Sequence, residues 1–300
     1  MAAGMSELPT VALIGTGRMG AAMAARMSAA GIGLVVYNRT LDKARAVAED
    51  CRAAVAETAR EAAASVDVVL VSLADDRAVE AAYRGPDGLV AGLRPGTVVA
   101  DTSTVDPATV GALQPLVADR GAELLDTPVS GNPSVVESGN ITVMAGGDAD
   151  ALERARPVLE TFARRVFHLG GHGAGAAMKL VVNSALHGLN QAVAESLVLA
   201  EKAGIPRTAA YEVFVDSAVA APFVKYKREA YEHPDTAPVA FSLDLVAKDL
   251  DLILALAARV DARVPQAAAN RDIVTEAIAA GYGDRDLAAL AVYLSGSGHE

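Results

Sequence analysis

Residues 11–27 read VALIGTGRMGAAMAARM, and this stretch decides the fold of the first half of the chain. Its apolar start, together with the preceding threonine, predicts a short buried strand over residues 10–14. Glycines follow at positions 15, 17 and 20, and the alanine-rich residues 19–30 predict a helix. A strand, a glycine-rich turn and a helix in this order are typical of the first part of a βαβ unit.

The same alternation of short apolar runs and helix-forming runs continues along the first half of the chain. We predict strands at residues 10–14, 33–37, 66–72, 97–101, 123–126 and 141–145. We predict helices alternating with them at residues 19–30, 41–49, 58–64, 76–84, 107–120 and 149–162. Such alternation predicts a doubly wound, mainly parallel α/β sheet of the Rossmann type, and apolar runs such as VDVVLVS fit strands covered on both faces.

The second half of the chain predicts helices only. No convincing strand follows residue 175, and the first predicted helix runs without an internal proline from residue 174 to residue 203. The glycine cluster GGHGAG at residues 170–175 marks a boundary. We therefore predict an α/β domain over residues 1–172, with residues 1–8 disordered, and an all-α domain over residues 173–300, linked by the long helix.

Composition and charge limit the classes of function. The 300 residues carry a formal net charge of −11, and nucleic-acid binding normally needs a basic face, so we expect no nucleic-acid partner. The longest uncharged stretch of the second half, residues 180–194, is interrupted by polar side chains, which predicts a helix buried in protein rather than a membrane span. One cysteine, Cys51, and an N-terminus without a signal-peptide pattern indicate a cytoplasmic protein.

The glycine pattern predicts a dinucleotide site because each glycine has a separate steric task. Gly15 permits a tight turn, Gly17 lets the backbone approach a pyrophosphate, and Gly20 lets the helix pack closely on the strand. The start of the helix then offers N–H groups and a positive dipole end to the phosphates. We assign the cofactor-binding loop to Gly15, Thr16, Gly17, Arg18, Met19 and Gly20. A glycine turn without a ligand is the alternative.

The three residues that directly follow the second predicted strand indicate which dinucleotide binds. NAD sites of this kind place a carboxylate about 20 residues after the glycines. At that place this chain has Asn38, Arg39 and Thr40. A guanidinium can pair with a 2′-phosphate, whereas a carboxylate would repel it. We therefore expect NADP(H); the alternative is that Arg39 is only a solvated turn residue.

Lys179 and Asn183 lie four residues apart in the long predicted helix and therefore share one of its faces. A lysine in an otherwise apolar stretch is costly to bury without a use, and its ammonium group can serve as a general acid or base. From spacing alone, a lysine that extends from the helix to solvent is an equally good interpretation.

Five motifs occur in the order expected of one family. They are GTGRMG at 15–20, DTSTVDP at 101–107, DTPVSG at 126–131, GAGAAMKLVVN at 173–183 and AKDLDL at 247–252. Together they resemble the β-hydroxyacid dehydrogenases, which include 3-hydroxyisobutyrate dehydrogenase, tartronate semialdehyde reductase, glyoxylate/succinic semialdehyde reductase and, more distantly, 6-phosphogluconate dehydrogenase. The resemblance covers residues 10–294 and implies a Rossmann domain, an all-helical domain and an active site in the cleft between them.

The resemblance also implies roles for individual residues. Lys179 corresponds to the catalytic acid/base and Asn183 to its neighbour in the site. The positions that correspond to the substrate site are Ser130 and Gly131, which hold a carboxylate, and Phe241, an aromatic residue beside the substrate. The positions that correspond to cofactor contacts are Leu73, Ala74, Thr104 and Lys248. The sequence of residues 38–40 resembles the NADPH-preferring branch.

Some positions depart from the family pattern or stay open. Many members have a second glycine after PVSG, where this chain has Asn132 followed by Pro133. We include Asn132 among the substrate-binding residues, and we expect Asn132 and Pro133 to alter the floor of the substrate pocket. No ligand spacing suggests a metal, so we expect none. His187 lies eight residues after Lys179, and we favour a core histidine with a local partner over one that lines the cleft.

The combined expectation is an NADPH-dependent oxidoreductase acting on CH–OH groups, which interconverts a small 3-hydroxy acid and an aldehyde or keto acid. Imine reduction is the alternative activity, although imine reductases usually carry Asp or Tyr at the position of Lys179. An alternative of another class is a catalytically silent NADP-binding protein that serves oligomerisation or sensing. The long alanine-rich helix and the resemblance favour a homodimer or homotetramer.

Overall fold

The computed structural model describes residues 8–296, which fall into two compact units. The first, here called the α/β unit, ends at Lys179, and the second, the helical unit, begins at Leu180. We expect residues 1–8 to be disordered, and residues 1–7 of this segment lie outside the part of the chain that the structure describes. The domain boundary expected between residues 172 and 173 stays a prediction.

The centre of the α/β unit is a six-stranded parallel sheet with the strand order β3-β2-β1-β4-β5-β6. Its strands are β1 (Val11–Ile14), β2 (Leu34–Tyr37), β3 (Ala54–Val55), β4 (Val68–Val71), β5 (Val98–Asp101) and β6 (Glu123–Asp126). The strand order reverses at β1, which pairs with β2 on one side and with β4 on the other. In open α/β sheets, ligands bind beyond the carboxyl ends of the strands at such a reversal.

Helices cover both faces of this sheet, as the apolar strands predict. They are α1 (Arg18–Ala29), α2 (Leu41–Cys51), α3 (Ala59–Ala63), α4 (Asp76–Tyr83), α5 (Leu89–Gly92), α6 (Pro107–Ala118), α7 (Pro133–Glu137) and α8 (Ala149–Leu159). Alternate residues of β1 join two separate cores: Val11 and Leu13 pack in one, and Ala12 and Ile14 in the other. Both faces of the strand are therefore buried, and the doubly wound, mainly parallel sheet is confirmed.

A smaller sheet of three strands follows in the chain. Its strands are β7 (Val129–Ser130), β8 (Ile141–Ala145) and β9 (Ala163–His168), with β7 antiparallel and β9 parallel to β8. Sequence patterns predict β8 to the residue but miss the other two. β7 has only two residues, and β9 (ARRVFH) has mostly exposed side chains, so neither carries a buried apolar pattern. The helix expected over residues 149–162 ends at Leu159, because β9 begins four residues later.

The described residues from 175 to 296 form no strand, so the expectation that the second half contains helices only is confirmed. The long helix α9 (Ala174–Lys202) starts within the α/β unit and matches its predicted bounds to within one residue. It is followed by α10 (Arg207–Asp216), α11 (Pro222–Tyr226), α12 (Arg228–Glu232), α13 (Leu243–Arg259), α14 (Pro265–Ala277) and α15 (Leu290–Ser295). None of the helices within residues 8–296 combines the length and the apolar character that a membrane crossing requires.

A buried ion pair links two segments of the helical unit. Lys227 Nζ lies 2.7 Å from both carboxylate oxygens of Asp286, and both residues are buried. Asp286 also accepts hydrogen bonds from the backbone N–H groups of Ala240 (2.9 Å) and Phe241 (3.2 Å). The carboxylate therefore fixes the segment that carries Phe241, and its charge is balanced by one lysine and several N–H donors.

We expect Lys227→Met to lower the free energy of unfolding by about 3–5 kcal/mol, because it leaves the buried carboxylate of Asp286 without its cation. Urea unfolding followed by circular dichroism measures the change. The control is Arg45→Ala, which removes an exposed ion pair with Asp42 and should leave stability unchanged within error. Equal effects of the two substitutions would contradict a stabilising role for the buried pair.

Candidate active site

The glycine loop joins β1 to α1 through two close backbone approaches. Gly15 has a φ of +101°, and its N–H donates to the carbonyl oxygen of Tyr37 at 2.8 Å. A Cβ on Gly20 would lie 2.1 Å from the carbonyl oxygen of Gly15, so only glycine lets α1 start this near the strand. At Gly17, by contrast, no described atom beyond its own stretch of chain lies within 4 Å of the Cβ position. The loop is therefore closed toward the protein and open at Gly17.

The start of α1 has unused capacity for an anion. The helix has no side-chain cap at Gly17 and no acidic residue in its first turn. The hydroxyl of Thr16 is buried and makes no hydrogen bond with the described residues. Helix N–H groups, a positive dipole end and a spare hydroxyl are the donors that a pyrophosphate accepts from. These residues fit the dinucleotide predicted from the glycine spacing.

The turn after β2 is tied to the glycine loop by one side chain. Asn38 Oδ1 accepts from the Thr16 N–H at 3.2 Å, and its Nδ2 donates to the carbonyl oxygen of Thr40 at 3.0 Å. Arg39 is exposed between them. The amide of Asn38 therefore holds the turn in place while the guanidinium of Arg39 stays accessible to a ligand.

The loops after β4 and β5 are held together by a buried network. The N–H of Leu73 donates to Ser103 Oγ (3.0 Å), and the N–H of Ser103 donates to Asp101 Oδ1 (2.9 Å). Tyr83 Oη donates to the other oxygen of Asp101 at 2.9 Å. The predicted cofactor residue Leu73 is thus linked through Ser103 to Asp101, and the predicted cofactor residue Thr104 directly follows Ser103.

Burial sets the ionisation of this network. Burial raises the pKa of the Asp101 carboxyl, and the hydrogen bonds from Ser103 and Tyr83 act in the opposite direction. Burial and then the neighbouring Asp101 raise the pKa of Tyr83 well above its usual range. Tyr83 therefore remains a neutral hydrogen-bond donor.

The loop expected to hold the substrate begins at Ser130, the last residue of β7. Gly131 has a φ of +142°, and a Cβ there would lie 3.1 Å from Val135. Asn132 caps α7, with its Oδ1 accepting from the Val135 N–H (3.0 Å), and Pro133 occupies the first turn of that helix. The departure from the family pattern therefore has a structural use, which is to start a short helix directly after the loop.

A buried carboxylate links the predicted residues of the helical unit. Asn183 Nδ2 donates to Asp249 Oδ2 at 2.6 Å, and Lys248 Nζ lies 2.9 Å from Asp249 Oδ1. The Asp249 side chain is only 1% exposed. Lys179, half-buried, precedes Asn183 by one turn of α9. The sequence predicts Asn183 and Lys248 as site residues, whereas Asp249, which joins them, occurs there only as part of the motif AKDLDL at 247–252.

His187 is part of the same cluster. Its side chain is 1% exposed, its Nε2 lies 3.5 Å from Asp249 Oδ2, and its ring centroid is 6.0 Å from that of Phe241. Neither ring nitrogen makes a hydrogen bond with the described residues. The position agrees with a core histidine that has a local charged partner. Within residues 8–296, no three His, Cys, Asp or Glu side chains are grouped as a metal site would require.

The chain matches two family descriptions, one after the other. Residues 10–170 match the NAD binding domain of 6-phosphogluconate dehydrogenase. Residues 173–294 match the family described as the NAD-binding domain of NADP-dependent 3-hydroxyisobutyrate dehydrogenase.

Known proteins match over nearly the whole chain. The chloroplastic glyoxylate/succinic semialdehyde reductase 2 of Arabidopsis thaliana is 33% identical, over 95% of this chain and 79% of its own length. The NAD-dependent L-serine dehydrogenase of Pseudomonas aeruginosa is 32% identical, over 92% of this chain and 94% of its own. These two relatives differ in their named substrates, so similarity alone does not select a substrate for this chain.

Solved structures also match nearly the whole chain. The structure of Mycobacterium tuberculosis 3-hydroxyisobutyrate dehydrogenase with L-serine has a TM-score of 0.83 and 32% identity, covering 96% of this chain and 99% of that one. An imine reductase from Pseudomonas, at 21% identity and a TM-score of 0.65 over 96% of this chain and 100% of its own, shares the fold alone. With its glycine loop, its parallel sheet and matches that run from residue 10 to residue 294, the chain belongs to the β-hydroxyacid dehydrogenase family of nicotinamide-dependent oxidoreductases.

Proposed function

We propose that this protein is an NADPH-dependent reductase of a small aldehyde or keto acid, reversible as a 3-hydroxyacid dehydrogenase, with Lys179 as the general acid/base. The observation that carries the proposal is the buried hydrogen bond between Asn183 and Asp249, one helical turn from Lys179. A carboxylate only accepts hydrogen bonds, so Asn183 must turn its NH₂ to Asp249 and its carbonyl oxygen away from it. That oxygen is the acceptor that an ammonium group needs for a fixed orientation.

The roles of the remaining residues follow from the chemistry of carbonyl reduction. The reduced nicotinamide, when bound, supplies the hydride. The ammonium group of Lys179 stabilises the negative charge that develops on the carbonyl oxygen and donates its proton there. In the reverse direction, the neutral amine of Lys179 accepts the proton of the substrate hydroxyl.

The other proposed contacts divide between substrate and cofactor. Ser130, Gly131 and Asn132 bind the substrate carboxylate through N–H and polar side-chain groups, and Phe241 packs beside the substrate. Leu73, Ala74, Thr104 and Lys248 contact the cofactor, in addition to the glycine loop. A small acid is favoured because the loop at residues 130–140 carries no basic side chain for a second anionic group.

The preference for NADPH rests on Arg39. Its guanidinium is exposed next to a turn that Asn38 fixes against the glycine loop, and no carboxylate replaces it at the end of β2. The family described for residues 173–294 also includes NADP in its name. The NAD-dependent relative shows that identity of about one third leaves the cofactor open, so the argument depends on this side chain.

We also propose a homodimer or homotetramer and a cytoplasmic location. The support for self-association is the apolar exposed surface of α9, where Val181 is 55% and Leu199 72% exposed. Size-exclusion chromatography with light scattering tests the assembly state.

Substitutions at Gly17 and Gly20 distinguish the effect of the loop on cofactor binding from its effect on folding. We expect Gly17→Ala to fold normally and to lose NADPH affinity, because the added methyl group enters the open space where the pyrophosphate would lie. We expect Gly20→Ala to lower the free energy of unfolding by about 1–3 kcal/mol, because its methyl group overlaps the Gly15 carbonyl oxygen. Calorimetric titration suits the binding measurement, since the chain has no tryptophan. Normal NADPH binding by Gly17→Ala would contradict the assigned site.

The cofactor preference is tested at Arg39. Arg39→Ala should raise the Kd for NADPH about 10- to 100-fold, the loss expected for charge-assisted hydrogen bonds to a phosphate, and leave the Kd for NADH unchanged. Arg45→Ala, another exposed arginine six residues later, is the matched control and should change neither value. Equal losses for both cofactors at Arg39 would show that it does not recognise the 2′-phosphate.

The activity is tested by NADPH oxidation at 340 nm. The substrates are glyoxylate, succinic, tartronate and methylmalonate semialdehydes, and one cyclic imine. We expect turnover of at least one aldehyde acid and a loss of about 10²–10⁴-fold in Lys179→Ala with NADPH affinity retained. Lys202→Ala, at the other end of α9, is the control. Turnover of the imine alone would support imine reduction, and no turnover with intact NADPH binding would support the catalytically silent alternative.

A further inference from the structure

Asp126, the last residue of β6, receives two hydrogen bonds at the start of α9, one from Gly173 directly before the helix and one from Ala176 in its first turn. The Gly173 N–H donates to Asp126 Oδ1 at 2.8 Å, and the Ala176 N–H donates to Asp126 Oδ2 at 2.8 Å. The side chain is buried, and it comes from a strand that precedes its partners by 47 and 50 residues. Most helices in this unit are capped instead by the residue directly before them, as Asp148 caps α8.

Two glycines allow this contact to be close. A Cβ on Gly175 would lie 2.3 Å from the carbonyl oxygen of Met144 and 2.6 Å from that of Asp126. A Cβ on Gly146 would lie 2.7 Å from Asp126 Oδ1. The first turn of α9 therefore rests directly on the ends of β6 and β8, at a separation that a larger residue would prevent.

The same residue begins the segment that leads to the predicted substrate loop. Asp126 exchanges backbone hydrogen bonds with Gly146 at 3.1 and 2.8 Å, which fixes the backbone just before Ser130. On the other side, Lys179 follows Ala176 by three residues in α9. A single carboxylate thus holds two chain segments, one carrying Ser130 and one carrying Lys179.

We propose that Asp126 is a positioning residue, which sets the place of Lys179 relative to the Ser130–Gly131 loop by holding the first turn of α9. This inference rests on the proposed function of Lys179. A carboxylate suits the task because it offers one oxygen to each of the two N–H donors, whereas an amide offers one oxygen and would turn its NH₂ toward the other donor. The positive end of the α9 dipole stabilises the buried negative charge.

The ionisation of Asp126 agrees with this arrangement. Burial raises the pKa of the Asp126 carboxyl, and the hydrogen bonds from Gly173 and Ala176 act against that rise. The two N–H donors therefore favour the charged form, in which both oxygens accept.

The test compares Asp126→Asn and Asp126→Ala with Asp148→Ala in the full-length chain. We expect kcat to fall about 10- to 100-fold in the Asp126 variants, since a displaced catalytic group costs this much, while the Kd for NADPH stays within about twofold. Asp148→Ala removes a cap of the same type from α8, which bears no proposed site residue, and should leave kcat unchanged. If Asp126→Ala does not fold, the isosteric Asp126→Asn decides.

Two further measurements separate positioning from a loss of fold. The ratio of kcat in H₂O to kcat in D₂O should rise in Asp126→Asn, because proton donation by a displaced Lys179 becomes slower relative to hydride transfer. Backbone hydrogen exchange should accelerate at residues 173–183 in Asp126→Asn and at residues 149–152 in Asp148→Ala. Loss of NADPH affinity in parallel with kcat would show a general structural role and overturn the inference.

The failure of this inference differs from the failure of the proposed function. An active wild-type enzyme with unchanged kcat and exchange in Asp126→Asn overturns the positioning role alone. A wild-type protein that binds NADPH but turns over no aldehyde acid overturns the proposed function and the catalytic part of this inference together.

Discussion

The parallel pairing of β1 with both β2 and β4 is the constraint on which the rest of the α/β unit depends. Because all strands of this sheet point the same way, the loops after β1, β2, β4 and β5 emerge at one edge. Pairing continues just beyond the strands, where the Gly15 N–H donates to Tyr37 and the Ser72 N–H donates to Ile14. Main-chain hydrogen bonds therefore bring the proposed cofactor loops of this unit to one edge, and the side chains of Asn38, Ser103 and Asp101 fix these loops to one another.

Buried carboxylates, each balanced in a different way, hold the segments that carry the proposed site. Asp101 relies on Tyr83 and a backbone N–H, whereas Asp126 relies on two backbone N–H groups at the start of α9. In the helical unit, Asp249 is shared by an amide and a lysine, and Asp286 by a lysine and several N–H groups. Burying a charge is costly unless its hydrogen bonds are nearly complete, so each of these groups restricts its surroundings to one arrangement.

Patterns in the sequence predict the features that depend on neighbours in the chain. The strands with apolar runs, the helix from residue 174 and the glycine loop are local in this sense, and the structure has all of them. The roles of Tyr83, Asp126 and Asp249 depend on partners 18, 47 and 66 residues away, which no spacing rule connects. The strand β9 escapes prediction for a different reason, since its side chains are mostly exposed and leave no apolar period.

The contact between Asp126 and α9 also has a consequence for the order of folding during synthesis. Domains generally fold as units, N-terminal part first, as the chain leaves the ribosome. The end of β6 cannot obtain its two N–H partners until Gly173 and Ala176 have been made, 47 and 50 residues after the strand itself. The α/β unit therefore completes its own hydrogen bonding only when the start of α9 has begun to emerge from the ribosome.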